Sequence, residues 1–272
     1  MALDDISNLE KKSVEYRRRI LKCIKKANTG HTAGSLSCVD ILNVLYNRIM
    51  NVSPENFRES DRDRYIQSKG HSVEALFVVL SDRGFFPESD LDTFSKFQSH
   101  YVGHPTRKVN GIEHNTGALG HGLSVSAGIA LAGKMDGADY NVYTLLGDGE
   151  LAEGSNWEAF MTASHYNLDN LLAIVDYNKL QITGPVQEVY NLEPFRDRME
   201  SFGWEVREVD GHNLAEMEKV FSRIPFNKEK PNLVIAHTIK GKGVSFMEDN
   251  YKWHHKVPND KEYDQALNEL VL

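Results

Sequence analysis

Four short apolar runs recur through the second half of the chain: 140–146 (YNVYTLL), 170–176 (NLLAIVD), 204–210 (WEVREVD) and 231–239 (PNLVIAHTI). Helix-like stretches separate them, among them 155–166 and 213–224. Short runs of this kind, alternating with helices, read as strands of a parallel sheet flanked by helices on both faces, an α/β fold. Earlier in the chain, residues 9–27 carry Leu9, Arg17, Ile20, Leu21 and Ile24 in a charged background, the pattern of an amphipathic helix. Two more helices are expected over 38–50 and 71–84, the second closed by Gly84. Segment 120–133 is almost all small residues and suits a helix packed close to its neighbours. Ser155 and Glu158 match the S-x-x-E capping pattern. No repeat, low-complexity tract or Pro/Gly/Ser-rich linker interrupts the chain, so a single domain over 1–272 is expected.

In open α/β sheets ligands bind beyond the carboxyl ends of the strands. One run ends there in LLGDGELAEG, with Asp148 held between two glycines; the next ends at Asn178, thirty positions on. Asp-Gly is also a common turn dipeptide, and on its own the motif reads first as punctuation. Taken together, the two strand ends deliver two oxygen ligands side by side. Carboxylate, amide and a main-chain carbonyl suit a hard ion such as magnesium, and Gly149 would let its N–H approach a phosphate.

Composition narrows what that site must do. A net charge of −8 provides no basic field to collect nucleic acid, so any anion must be bound locally. No apolar run approaches the roughly 20 residues that cross a bilayer, and the polar, acidic start is no secretory signal. Cys23 and Cys38 form no CxxC pair, so neither a disulfide framework nor a zinc site is expected, and a reducing cytoplasm fits.

Five of the eleven histidines directly follow a glycine: His31, His71, His104, His121 and His212. Imidazole passes protons near neutrality and hydrogen-bonds hydroxylated substrates. These contexts, with GDGELAEGSNWEA and NLLAIVDYNKLQITG, resemble the transketolase family and its thiamine diphosphate motif. By that resemblance Asp148, the Asn178 side chain and the Leu180 carbonyl hold Mg2+ (Ca2+ or Mn2+ serving equally), and Gly149 contacts the diphosphate. ANTGHTAGSLS resembles the loop of the first active-site histidine, here His31. DRYIQSKGHSVEALF resembles the strand-to-helix turn that brings Lys69 and His71 to the cofactor. YVGHP resembles the donor-sugar loop, with His104, and NTGALGHGLS the loop whose Gly117 and Leu119 line the cofactor. IKGKGVSFMEDNYKWHH resembles the segment of a cofactor-contacting lysine, Lys240, and a late catalytic histidine, His254. Glu153 resembles the acid at the contact between paired active sites; an ordinary acid at a helix start is the other reading. His100, His114, His165, His212 and His237 read as structural, and His121 and His255 stay unassigned. Two departures stand out: Thr32 follows His31 where long-chain members usually have Pro, and His255 follows His254 where Trp-His-Gly is frequent.

The resemblance runs from about residue 9 to 258, and covers only the N-terminal, diphosphate-binding domain of a full-length transketolase. In the family, the glutamate that activates the cofactor and the arginines that hold sugar phosphates belong to the other half. The resemblance therefore implies the N-terminal subunit of a two-component enzyme, completed by a separate C-terminal subunit in an α2β2 assembly. Its activity would be two-carbon ketol transfer from a ketose phosphate to an aldose, with no nucleic-acid or membrane partner. Two alternatives are a deoxyxylulose-phosphate-synthase-like carboligase subunit, which consumes pyruvate, and a non-catalytic subunit that binds cofactor to regulate a partner. A magnesium-dependent phosphatase would call for more carboxylates than the motif offers.

Overall fold

The computed structural model describes residues 3–271. Helix α1 (Leu3–Ala27) buries Leu9, Tyr16, Ile20, Leu21 and Ile24 along one stripe. Arg17 shares that stripe because its guanidinium grips Asp40 of α2 (Thr32–Val44) with two bonds of 2.9 and 2.6 Å. A buried charge without such a partner would cost several kcal/mol, on the order of 3–5. Helix α2 begins at Thr32, ahead of the expected residue 38, and every residue in it is buried. Its opening T-A-G-S-L-S has weak helix propensity, so enclosure by neighbours makes it helical. Past Val44 the chain widens into a π-turn over Leu45–Ile49.

Strand β1 (Arg64–Gln67) leads through a 3₁₀ turn into α3 (Val73–Asp82). Helix α4 (Gly122–Asp136) does lie close to its neighbours: a Cβ on Gly122 would sit 2.4 Å from Ser68 Cβ, and one on Gly133 2.7 Å from the Tyr140 ring. Strand β2 (Val142–Gly147) precedes α5 (Gly154–His165). The expected capping box does not form there. Glu153 takes the N-cap position with no side-chain bond, and Ser155 Oγ instead donates to the Gly120 carbonyl at 2.8 Å. Strand β3 (Leu171–Tyr177), short helices α6 (Val186–Val189) and α7 (Phe195–Ser201), β4 (Glu205–Asp210), α8 (Leu214–Phe221), β5 (Asn232–His237) and α9 (Asp260–Glu269) complete the order.

Among the described residues the five strands form one parallel sheet, ordered β1–β2–β3–β5–β4. Side chains alternate across it, as a strand period of two requires. Tyr143, Leu145, Leu172, Ile174 and Val234 face a core built with α1, α2, α3 and α8. Val142, Leu146, Ala173, Val175, Leu233 and Ile235 face a second core with α4, α5 and α7. Each Val, Leu or Ile side chain among these, fully buried, contributes about 1.5–3 kcal/mol. Register then sets the site. Gly147 lies opposite Asp176, and Tyr177 opposite His237, so β2, β3 and β5 release their loops at one level.

Candidate active site

The loops leaving β1, β2, β3 and β5, with the amino end of α2, enclose a cavity of about 260 Å³. Asp148, Gly149, Asn178 and Leu180 line one part of its wall; Lys69, His71 and Lys240 another; His31, Gly117, Leu119 and His254 a third. Thus residues spread from 31 to 254 in sequence converge. Two expected site residues lie off the wall. His104 stands behind Gly117, its ring 6.3 Å from that of His31. Gly117 has φ +144°, and a Cβ there would come within 2.9 Å of His104 Cδ2, so only glycine admits both the backbone turn and the ring behind it. Glu153 is exposed outside the cavity, at the start of α5.

The oxygens expected to ligate an ion are held by their own neighbours. Asp148 Oδ1 accepts from the Gly149 N–H at 2.7 Å and Oδ2 from the Lys179 N–H. Asn178 Oδ1 accepts from the Leu180 N–H at 3.1 Å, while its amide nitrogen donates to Asp176 Oδ2 at 3.3 Å. Each carboxylate oxygen keeps a second lone pair, so the turn is organised and the ligands are still able to bind. Three oxygen donors of this kind fit a hard divalent ion that completes its shell with phosphate and water. The cavity also fits a diphosphate. The buried Gln181 Nε2 on its wall has no protein acceptor, and a Cβ on Gly149 would lie 2.9 Å from Gln181 Cβ, closing the approach to the backbone.

The charges under the cavity explain the chemistry of its wall. Fully buried Asp176 accepts from Lys69, Ser37 and Thr238; burial opposes its ionisation, but the Lys69 ammonium outweighs this and its carboxyl lies below the usual range. Burial likewise opposes the Lys69 ammonium, and Asp176 overrides it, raising the lysine. Asp148 lacks such a cation at contact distance, so burial and then Asp176 push its carboxyl up to about 7. Burial and the repulsion of Lys69 bring Lys240 down to about 8. Its ammonium donates to the Leu180 carbonyl at 2.9 Å and to His254 Nδ1 at 3.1 Å. That second bond places the His254 proton on Nε2.

The histidines pack as a group: His31 lies 5.1 Å from His71 and 5.5 Å from His254, and His71 lies 5.1 Å from His254, between ring centroids. Burial first, then neighbouring histidines and lysines, bring His31 down to about 4. Burial and Lys240 bring His254 down to about 3; His71 is lowered by burial and Lys69, and His104 by burial. At neutral pH the wall therefore presents neutral imidazoles, able to donate on one nitrogen and accept on the other, above two lysine cations.

Several contributors escape a reading of motifs. Asp176 closes the run NLLAIVD, and a carboxylate ending an apolar strand was its one signal. Glu150 has none: buried, it accepts from the Gly120 N–H at 2.9 Å, the Gly147 N–H at 3.0 Å and Ser68 Oγ, pinning the Gly117 loop to the end of β2. Glu74 accepts from the His31 N–H at 2.9 Å and Ser35 Oγ at 2.8 Å, setting the backbone from which His31 projects. His212, expected to be structural, takes its Nδ1 to Asp40 at 2.8 Å and accepts the Ile239 N–H on Nε2 at 2.8 Å, next to Lys240. No helix among the described residues is long and apolar enough to cross a membrane.

Comparison with known proteins agrees with this geometry. The family model described as "Transketolase, thiamine diphosphate binding domain" matches residues 9–270. An apulose-4-phosphate transketolase subunit from Phocaeicola vulgatus is 49% identical over 97% of this chain and 94% of its own length. The 6-deoxy-6-sulfo-D-fructose transketolase subunit SqwG of a Clostridium species is 39% identical over 97% of this chain and 96% of its own. Transketolase from Campylobacter jejuni superimposes with a TM-score of 0.90 at 31% identity; the match covers 99% of this chain but 43% of that longer one. With nearly all of its described length matched, this chain belongs to the transketolase family, as an N-terminal, thiamine diphosphate binding subunit.

Proposed function

We propose that this chain, acting as one domain, is the cofactor-holding half of a two-chain cytoplasmic transketolase. Its partner would be a C-terminal subunit that carries the pyrimidine-binding half, in an α2β2 assembly with Glu153 at the contact between paired sites. The reaction is transfer of a two-carbon ketol unit from a ketose phosphate to an aldose acceptor. One observation carries this reading: three oxygen ligands, a phosphate-admitting glycine and a group of neutral histidines meet on one cavity, in a chain whose subunit relatives match it along nearly their whole length.

In this reading Asp148, the Asn178 amide oxygen and the Leu180 carbonyl would hold magnesium, whose charge would anchor the diphosphate. Gly149 N–H would contact the diphosphate, and Lys69, Lys240, Gly117 and Leu119 would supply the other contacts to the cofactor. Bound thiamine diphosphate supplies the electron sink for breaking the C2–C3 bond of the donor. His71 and His104 orient the donor's hydroxyl end. His31 and His254, held neutral, accept and return protons at the donor and acceptor oxygens. Sugar phosphates would be gripped by the partner subunit, which leaves substrate choice largely to it. The test is reconstitution. This chain and a C-terminal-type subunit, each inactive alone, should transfer ketol units when mixed with thiamine diphosphate and magnesium, without consuming pyruvate. Full turnover by this chain alone, or none on mixing with any C-terminal-type subunit, would overturn the reading.

A further inference from the structure

The two segments that carry the departures from the family pattern meet in space, through Thr32 and Lys256 on one hand and His31 and His255 on the other. His255 lies nearest of all to His31: its ring centroid is 4.6 Å away, at an interplanar angle of 63°. Yet His255 is exposed, so one edge of its ring faces solvent just outside the wall that His31 forms. The fully buried Thr32 donates its Oγ1 proton to the carbonyl of Lys256, the next residue, at 2.6 Å. On the other side, buried Trp253 anchors the segment, and the Lys256 ammonium lies 3.8 Å over its ring and bonds Glu262 at 3.0 Å. The backbone around His255 is therefore tied from both directions. A proline at position 32 would have no hydroxyl to give, and a glycine at 255 no ring to place.

We propose that His255 is a fifth imidazole of the sugar-handling corner, contacting a hydroxyl of the sugar substrate, and that Thr32 is the positioning residue that sets it against His31. The proposal rests on the ketol-transfer reading for the identity of its ligand. His31 is bordered by His71, His104, His254 and His255, by Glu74 at its backbone, and by the Lys69 and Lys240 cations; of these, His255 makes the closest ring contact.

Four variants test the pairing in the reconstituted two-subunit enzyme: H255G, T32P, the double variant and T32S. Proline is tolerated at the first position of a helix, where Thr32 sits, so T32P should fold. H255G should raise KM for a sugar substrate about fivefold, the size of one lost hydrogen bond, with thiamine diphosphate affinity unchanged. T32P should reproduce the loss, the double variant should be no worse than H255G, and T32S should restore the wild-type value. In the isolated chain, NMR titration should show the His31 ring pKa rising in both H255G and T32P. Unchanged KM for donor and acceptor in H255G, or fully additive losses in the double variant, would overturn the proposal. Absence of ketol transfer by the wild-type pair sinks the functional reading and, with it, the sugar contact; the His31 titration then decides the packing claim, which falls if neither variant moves it.

Discussion

Replacing Glu74 with glutamine should remove a pH dependence from the stability of this chain. Glu74 has no exposed surface, and its carboxyl is held by the His31 N–H and the Ser35 hydroxyl. Burial outweighs those bonds and raises it from the ordinary 4.5 to about 7. Between these values the folded chain keeps a proton that the unfolded chain has released, so stability falls as pH rises through the window and levels off above about 7. The gap, at 1.36 kcal/mol per pH unit, comes to roughly 3 kcal/mol. Glutamine has nothing to ionise: its carbonyl can accept the His31 N–H, and its amide can donate to a rotated Ser35 hydroxyl. Urea unfolding of wild type and Glu74→Gln at pH 5 and pH 8.5 should show the variant's advantage widening by about 2–3 kcal/mol at the higher pH. A difference that stays constant across that range would refute the claim that Glu74 is held protonated by its surroundings. Since the His31 bond survives, reconstituted activity should survive too.

Two further outcomes follow from the buried charges. Lys69→Met leaves the fully buried Asp176 without its cation and should cost about 3–5 kcal/mol in urea unfolding; adding Asp176→Leu should recover most of that, and a single-variant loss under about 1 kcal/mol would contradict the pairing. Asp148→Ala would remove one of the three proposed oxygen ligands and should weaken thiamine diphosphate binding at least about tenfold, with no further loss on chelating magnesium. Calorimetric titration checks this, and wild-type binding indifferent to a chelator would contradict it.

Local pattern carried a good deal of this structure. The alternation of apolar runs with helical stretches determined the α/β class and the parallel sheet, because strands buried on both faces must be apolar throughout and must be linked by crossovers. Asp148 and Asn178 stood out for a related reason: each stands just past such a run, where a polar residue is either a turn or a ligand. Strand β1 was not legible as an apolar run, since RYIQ is four residues long and half polar. Helix α2 was placed late because its first turn is small and weakly helical, and only enclosure makes it regular.

What sequence alone settled about this protein is chemical identity: which residues can ligate, accept or pass a proton, and on which loops they sit. Tertiary structure decided everything that depends on what lies beside them. It removed Ser155 from its expected cap, set His104 behind the wall, and turned Glu74, Glu150 and Asp176 into the supports of the site. It also brought His31 against His255, and Thr32 against the Lys256 carbonyl, across more than two hundred residues. The physical reason is that burial and through-space charge set ionisation and orientation, and neither quantity is a property of a residue or of its neighbours in the chain.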